Sequence, residues 1–478
     1  MNYKIILHTL GWVLNIEAGC LFLPLICSVL YADGCIPVFS GCIALCLFAG
    51  LILTIRTPKN KTMYAKEGFI IVALSWVLIS IFGALPFIFS GYIPSFVDAL
   101  FETVSGFTTT GASILSDVEA LPKSLLFWRS FTHWIGGMGV LVFLVALLPL
   151  SGGNNLHLIK AESPGPSVSK LVPKVRAMAK ILYGLYIFLT VLQTVLLLAG
   201  GMNLFDALTT AFGTAGTGGF GIKNTSMADY SPYIQYVVTI FMIIFGVDFT
   251  VYYLFLNRKF KAAIRSDEVR TYLLIIFAAI ILICINTRGL FESLATTVRH
   301  AAFQVATIIT TTGYATTDFD KWPEFSKFIL VILMFIGACA GSTGGGFKVS
   351  RVIVLFKSLV KEIKIAAHPR STHKLSMNDR PIAHETVRSI NTFLVAYIVI
   401  FFASLLIISL DNFDFTTNFT AVAATINNIG PGLAGVGPTQ NFSIYSDLSK
   451  IVLTFDMLVG RLEIFPILIL FSPYTWKN

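Results

Sequence analysis

The chain has 478 residues, 55% of them hydrophobic and only 12% charged, with a mean hydropathy of +0.80. A soluble domain carries roughly twice that share of charge, so the composition excludes an ordinary water-soluble enzyme and points to a bilayer as solvent. The net charge of +9 has the sign for nucleic acid or an anionic surface, but its distribution reads as membrane topology.

The apolar runs come in chain order at 10–31, 36–55, 69–89, 125–150, 181–198, 233–256, 272–285, 393–410 and 451–471. Most are close to the length of about 20 residues that crosses a hydrocarbon core. The first is too long for a cleaved signal peptide and lacks a small-residue cleavage site, so it is expected to be a retained helix. Most Lys and Arg residues fall in four stretches, 56–66, 160–180, 257–270 and 348–388, which alternate with loops poor in both. That bias puts the basic stretches, and with them both termini, on the cytoplasmic side. The seven cysteines form no Cys-x-x-Cys pair, and the seven histidines form no His-Glu-x-x-His, so no metal or redox centre is expected.

Four segments resemble one another: FETVSGFTTTGAS (101–113), TTAFGTAGTGGFG (209–221), FQVATIITTTGYA (303–315) and TAVAATINNIGPG (420–432). They align on Gly111, Gly219, Gly313 and Gly430. In each, an apolar, hydroxyl-rich stretch leads into a polar turn that holds the glycine. Apolar runs flank every segment, so the predicted unit is helix, short descending helix, loop, helix, used four times. Polar backbone at membrane depth needs a water-filled cavity or burial in protein. Four such loops on one axis would present rings of carbonyl oxygens, the device that replaces the hydration shell of potassium in known channels. The short helices would aim their negative C-terminal ends at that axis. Small residues also mediate close helix packing, but four related loops at similar spacing favour the pore.

Two further elements lie after the third loop and in the last run. The segment Gly337–Gly346 interrupts an apolar run with three consecutive glycines, each costing a helix about 1 kcal/mol relative to alanine. It is expected to be a loop, either a passive kink or a moving part. Phe347 stands between Gly346 and Lys348, which breaks the phosphate-binding P-loop pattern. Arg461, in the last apolar run, is costly at membrane depth and should face protein or water, with Asp456 or Glu463 as partner. Arg129 and His133, one turn apart, read as capping or snorkelling residues. Asp98 and Asp206 read as helix caps or as cation attractors at the outer mouth.

The stretches SGFTTTGAS, TGGFG, TTTGYAT and NNIGPGLAG, with RSFTHWIGGMG (129–139), GSTGGGFK (341–348) and GRLEIFP (460–466), resemble the Trk/Ktr/HKT superfamily of potassium transporters. Together with the two extra N-terminal helices, these stretches resemble the bacterial TrkH/TrkG branch, the TrkH/TrkG-type membrane subunit, specifically. The resemblance implies an all-α polytopic membrane protein, with four tandem helix–pore loop–helix repeats in pseudo-fourfold arrangement plus two N-terminal transmembrane helices. The expected divisions are 1–62 for the N-terminal pair, then repeats at 63–165, 166–266, 267–375 and 376–478.

It further implies a potassium-binding filter at Thr109, Thr110 and Gly111; Gly218, Gly219 and Phe220; Thr311, Thr312 and Gly313; and Asn428, Ile429 and Gly430. Gating falls to an intramembrane loop at 337–348, with Gly341, Gly344, Gly345, Gly346 and Lys348, and to Arg461 beneath the filter. Potassium is the only bound species implied, with no organic cofactor in this chain. The implied partners are a second copy, the lipid bilayer of the bacterial inner membrane, and a cytoplasmic Trk-type peripheral subunit that binds NAD or ATP/ADP; no nucleic acid is implied. Symport with another ion is open. The rival readings are a secondary carrier coupling a small solute or cation to sodium or protons, and a subunit without flux. No converging catalytic cluster suggests an enzyme.

Overall fold

The structure is a computed structural model that describes residues 1–58, 65–139, 175–369, 374–378 and 380–476. The last half of the run 125–150, most of the basic stretch 160–180, residues 59–64 of the first basic stretch and Lys477 lie outside the described residues.

The described chain is almost wholly helical. It begins with α1 (Tyr3–Tyr31) and α2 (Ile36–Thr54), a pair packed along most of its length. α3 (Ala65–Phe89) follows, then the short α4 (Phe96–Phe107) and α5 (Lys123–Met138). Next come α6 (Val175–Ala199), the short α7 (Leu204–Gly216), α8 (Pro232–Phe245), α9 (Phe249–Leu256) and α10 (Phe260–Ile264). α11 (Asp267–Thr287), the short α12 (Leu294–Ile309), α13 (Glu324–Ile336) and α14 (Val349–Ala367) follow. The last are α15 (His384–Ile408), the short α16 (Phe415–Ile426), α17 (Asp447–Arg461), α18 (Phe465–Phe471) and α19 (Pro473–Trp476). A two-stranded antiparallel hairpin, β1 (Ser376–Met377) with β2 (Arg380–Pro381), lies between α14 and α15.

Among the described residues, six helices are long and apolar enough to cross a membrane, and the bent pair α8–α9 makes a seventh if counted as one span. Their surfaces carry the large apolar residues that a soluble protein would bury. Phe188, Val191 and Val195 on α6 and Leu274, Phe277 and Ile281 on α11 are exposed. A surface of this kind is stable only against lipid or another apolar partner.

Two runs read as continuous are broken. The run 233–256 turns by 89° between α8 and α9. Gly246 ends α8, and Asp248 starts α9 by accepting a hydrogen bond from the Thr250 amide at 2.8 Å. The run 451–471 breaks after Arg461, where Glu463 and Ile464 both take positive φ. Each break carries charge, Asp248 in the first and Arg461 with Glu463 in the second, but the apolar residues on either side keep the averaged hydropathy of both runs high.

α4, α7, α12 and α16 have 12, 13, 16 and 12 residues. At 1.5 Å per residue each is too short for a core about 30 Å thick, so each must stop inside the protein. Each starts on a polar cap: Ser95, Asn203, Ser293 and Asp414 accept from the backbone amide three residues on. Asp98 and Asp206 are therefore not the caps themselves. They sit in the first turn, where negative charge suits the helix dipole. Asp98 pairs with Lys450 at 2.5 Å, and Asp206 accepts from the Tyr230 hydroxyl at 3.0 Å.

Candidate functional site

The four short helices end in loops with one shared backbone path. In each loop the glycine has positive φ, and so does the residue two before it. The pairs are Thr109 at 55° and Gly111 at 79°, Thr217 at 55° and Gly219 at 73°, Thr311 at 58° and Gly313 at 90°, and Asn428 at 57° and Gly430 at 97°. A β-branched residue at positive φ is unfavourable by itself, so the surroundings must hold it there. One restraint is the same in all four. The amide just before the glycine donates to the carbonyl five residues back: Thr110 to Ser105, Gly218 to Gly213, Thr312 to Thr307 and Ile429 to Ala424, at 2.8–2.9 Å.

The glycines are required for a second reason. A Cβ on Gly111 would collide with the Gly218 carbonyl oxygen, one on Gly219 with that of Thr312, and one on Gly313 with that of Ile429. A Cβ on Gly430 would stand 2.8 Å from the Thr110 oxygen. Each carbonyl belongs to the residue just before the next loop's glycine, so the contacts run from loop 1 to 2 to 3 to 4 and back to 1. The loops close a ring of backbone oxygens with no room for a side chain on any of the four glycines.

Hydroxyls and one amide back the ring. The Thr108 and Thr110 hydroxyls bond at 2.8 Å, as do those of Thr310 and Thr312. In the fourth loop Asn428 donates to the Thr110 hydroxyl and to the Met457 carbonyl, both at 2.9 Å. Gly111, Gly219, Gly313 and Gly430 all line one cavity of about 190 Å³ on the side where the loops emerge. The ring thus brings together Thr109, Thr110, Gly111, Gly218, Gly219, Phe220, Thr311, Thr312, Gly313, Asn428, Ile429 and Gly430.

The glycine-rich segment lies directly below. α13 ends at Gly337, and helix resumes at Val349 after a loop in which Gly337, Gly341, Gly346 and Lys348 have positive φ. The loop is fastened upward by the Gly345 amide, which donates to the Thr311 hydroxyl at 2.6 Å. It is fastened sideways to the α8–α9 bend, where Cys339 donates to the Gly246 carbonyl and Phe249 to that of Gly341, both at 3.1 Å. Buried Glu268 on α11 accepts from the Ala340 amide at 2.7 Å and the Ser350 amide at 3.1 Å, so one carboxylate holds both ends of the loop. The Lys348 ammonium folds back onto the Gly344 carbonyl.

Arg461 is the last residue of α17 rather than a mid-helix charge. Its guanidinium donates to the Thr343 carbonyl at 2.9 Å, to Gly137 at 3.2 Å and to Gly136. The two acids expected beside it are engaged elsewhere: Glu463 pairs with Arg351, and Asp456 accepts from Ser404 at 2.7 Å. Gly341, Gly344, Gly345, Lys348 and Arg461 line a second cavity, of about 110 Å³, together with the end of α5.

Arg129 neither caps nor snorkels. It is buried and pairs with Glu102 at 2.5 Å, while His133 packs its ring 4.2 Å from that of Phe220. Sequence reading missed Glu102, Glu268 and the Gly246–Asp248 bend. The two acids carried a usable signal, because a carboxylate among apolar residues at membrane depth needs a donor.

Comparison with known proteins now decides the family. The TrkH family model, described as a cation transport protein, matches residues 36–477. The chain belongs to the TrkH family. It is a multi-pass membrane protein of a cation-transport family and not an enzyme. It is 35% identical to the Trk system potassium uptake protein TrkH of Escherichia coli (strain K12) over 485 residues, covering 100% of both chains. It is 32% identical to TrkG of the same organism, covering 100% of this chain and 99% of that one. The crystal structure of the potassium transporter TrkH from Vibrio parahaemolyticus matches with a TM-score of 0.89 at 33% identity, over 100% of both chains.

Proposed function

We propose that this chain carries potassium ions into the cell across the bacterial inner membrane, through the ring formed by its four glycine loops. The observation that carries this reading is the closed cycle of carbonyl–glycine contacts. A ring of carbonyl dipoles can replace the water around a potassium ion. Four helix C-termini directed at the ring add partial negative charge, which favours a cation. The full-length relatives named as potassium uptake proteins support the choice of ion.

In this reading Thr109–Gly111, Gly218–Phe220, Thr311–Gly313 and Asn428–Gly430 form the filter, and potassium is the cargo. Loop 337–348 is the gate. It closes the path below the filter, and Gly341, Gly344, Gly345 and Gly346 let it move. Arg461 and Lys348 add positive charge to the cavity under the ring, an electrostatic barrier that falls when the loop withdraws. Each of the four divisions after residue 62 supplies one loop, in pseudo-fourfold arrangement. The basic stretches and both termini face the cytoplasm. The chain works as a homodimer, with a peripheral Trk-type partner that binds NAD or ATP/ADP and docks on stretches 257–270 and 348–388.

Complementation tests the reading. A strain deficient in potassium uptake should regain growth at low potassium when it expresses this chain with its partner. No rescue, with the protein inserted in the membrane, would overturn it.

A further inference from the structure

The four loops share a backbone path but are not fastened alike. Nine residues before each glycine stand Glu102, Thr210, Gln304 and Ala421. In loop 3, Gln304 reaches the Thr316 hydroxyl at 3.5 Å, three residues beyond Gly313. In loop 1, Glu102 does the same work with a full charge. Its carboxylate accepts from the Ile114 amide at 3.0 Å and from the Ser113 hydroxyl at 3.0 and 3.1 Å, just beyond Gly111.

Loop 2 has only Thr210 at that position, and its fastening comes from outside. Arg129, already bonded to Glu102, sends Nη1 to the Gly221 carbonyl at 2.8 Å and lays its guanidinium 3.6 Å from the centre of the Phe220 ring. One buried ion pair therefore ties together the outgoing limbs of two adjacent loops. Loop 4 relies on other bonds: the Leu433 amide to the Thr420 hydroxyl at 2.9 Å, and the Ala434 amide to Asp320 at 3.1 Å.

Potassium and sodium carry the same charge and differ in size. A carbonyl ring can prefer the larger ion by resisting contraction around the smaller one. Resistance requires that the backbone behind the carbonyls be fixed. A buried Arg–carboxylate pair fixes it well, because either partner left alone would be an uncompensated charge in a low-dielectric interior.

We propose that the Glu102–Arg129 pair is a selectivity-determining positioning element, which holds the carbonyls of loops 1 and 2 at the spacing that favours potassium over sodium. This rests on the potassium-filter reading above.

The test is the sodium-to-potassium permeability ratio, from reversal potentials of the purified full-length chain in planar bilayers. Glu102→Gln keeps the shape but loses the charge. Arg129→Lys keeps the charge but loses the fork that spans Glu102 and Gly221. Each should raise the ratio about tenfold, the scale of one charge-assisted hydrogen bond. Ser113→Ala removes one donor to Glu102 without baring a charge, so it remains informative if the pair variants fail to fold; it should raise the ratio about threefold. An unchanged ratio in any of these, measured on a conducting variant, overturns the proposal. Lys450→Met breaks the Asp98–Lys450 pair, which touches none of the four loops, and should leave the ratio alone; an equal shift there would also overturn it. A wild-type chain that passes no potassium would instead sink the filter reading itself.

Discussion

The ring of glycine loops and the glycine-rich loop beneath it are both irregular backbone, but they are held in opposite ways. Each ring loop is locked by backbone: two positive-φ residues, one amide-to-carbonyl bond, and a neighbour's carbonyl in the space a side chain would fill. Loop 337–348 relies on side chains as well as on two backbone bonds to the α8–α9 bend: Thr311, Glu268 and Arg461 reach in from other elements, and the loop's own Lys348 folds back onto it. The backbone lock is common to all four ring loops, whatever side chains add to it. A side-chain lock can be released one bond at a time. That contrast suits the proposed roles, an upper element that stays and a lower one that moves.

Breaking the backbone lock should have the largest effect. Gly111→Ala, Gly219→Ala and Gly313→Ala each add a collision to a left-handed backbone that already costs an L-residue about 1–2 kcal/mol. Potassium uptake into proteoliposomes should fall to background in each, with the protein still inserted. Uptake near the wild-type rate in any of them would mean that the ring does not carry the flux.

Releasing the lower lock should act in the opposite direction. Arg461→Ala removes a positive charge from the cavity and three hydrogen bonds from the loop and the end of α5. A unit charge 4 Å from the path opposes a cation by about 4 kcal/mol at an effective dielectric of 20. Flux should therefore rise about tenfold or more, and unchanged flux in a well-expressed variant would count against the barrier. A smaller rise, several-fold, is expected for Glu268→Ala, which frees both ends of the loop. Faster hydrogen exchange at the Ala340 and Ser350 amides would accompany it. Full protection of both amides would show that Glu268 does not hold the loop. The least effect belongs to Asn203→Ala, which removes the cap of α7 at the periphery. Thermal stability should fall by about 0.5–2 kcal/mol with flux nearly unaltered.

Much of this was legible in the sequence, because it was written in periodicity and in glycines. The long spans stood out as apolar runs. The four loops stood out because Gly111, Gly219, Gly313 and Gly430 serve a local need that no other residue meets, and the triple glycine at 344–346 ruled out a continuous helix. What stayed hidden depends on partners distant in sequence. Arg129 looked peripheral until Glu102 and Gly221 were seen around it, and Arg461 looked paired with its sequence neighbours, which bind Arg351 and Ser404 instead. The bend at Gly246–Asp248 was masked by apolar residues on either side, although a glycine followed two residues later by a capping Asp was a readable stop and start.

The central claim is that four loops, not three, make the path. Its most exposed point is the fourth loop, which carries NNIG where the first and third carry TTTG. Gly430 has the mildest predicted clash of the four, at 2.8 Å from the Thr110 oxygen, yet its φ of 97° still excludes a side chain. The decisive measurement is potassium uptake by Gly430→Ala alone in proteoliposomes. Loss of uptake comparable to that of Gly219→Ala is the predicted result, and wild-type uptake from an inserted Gly430→Ala chain would contradict it.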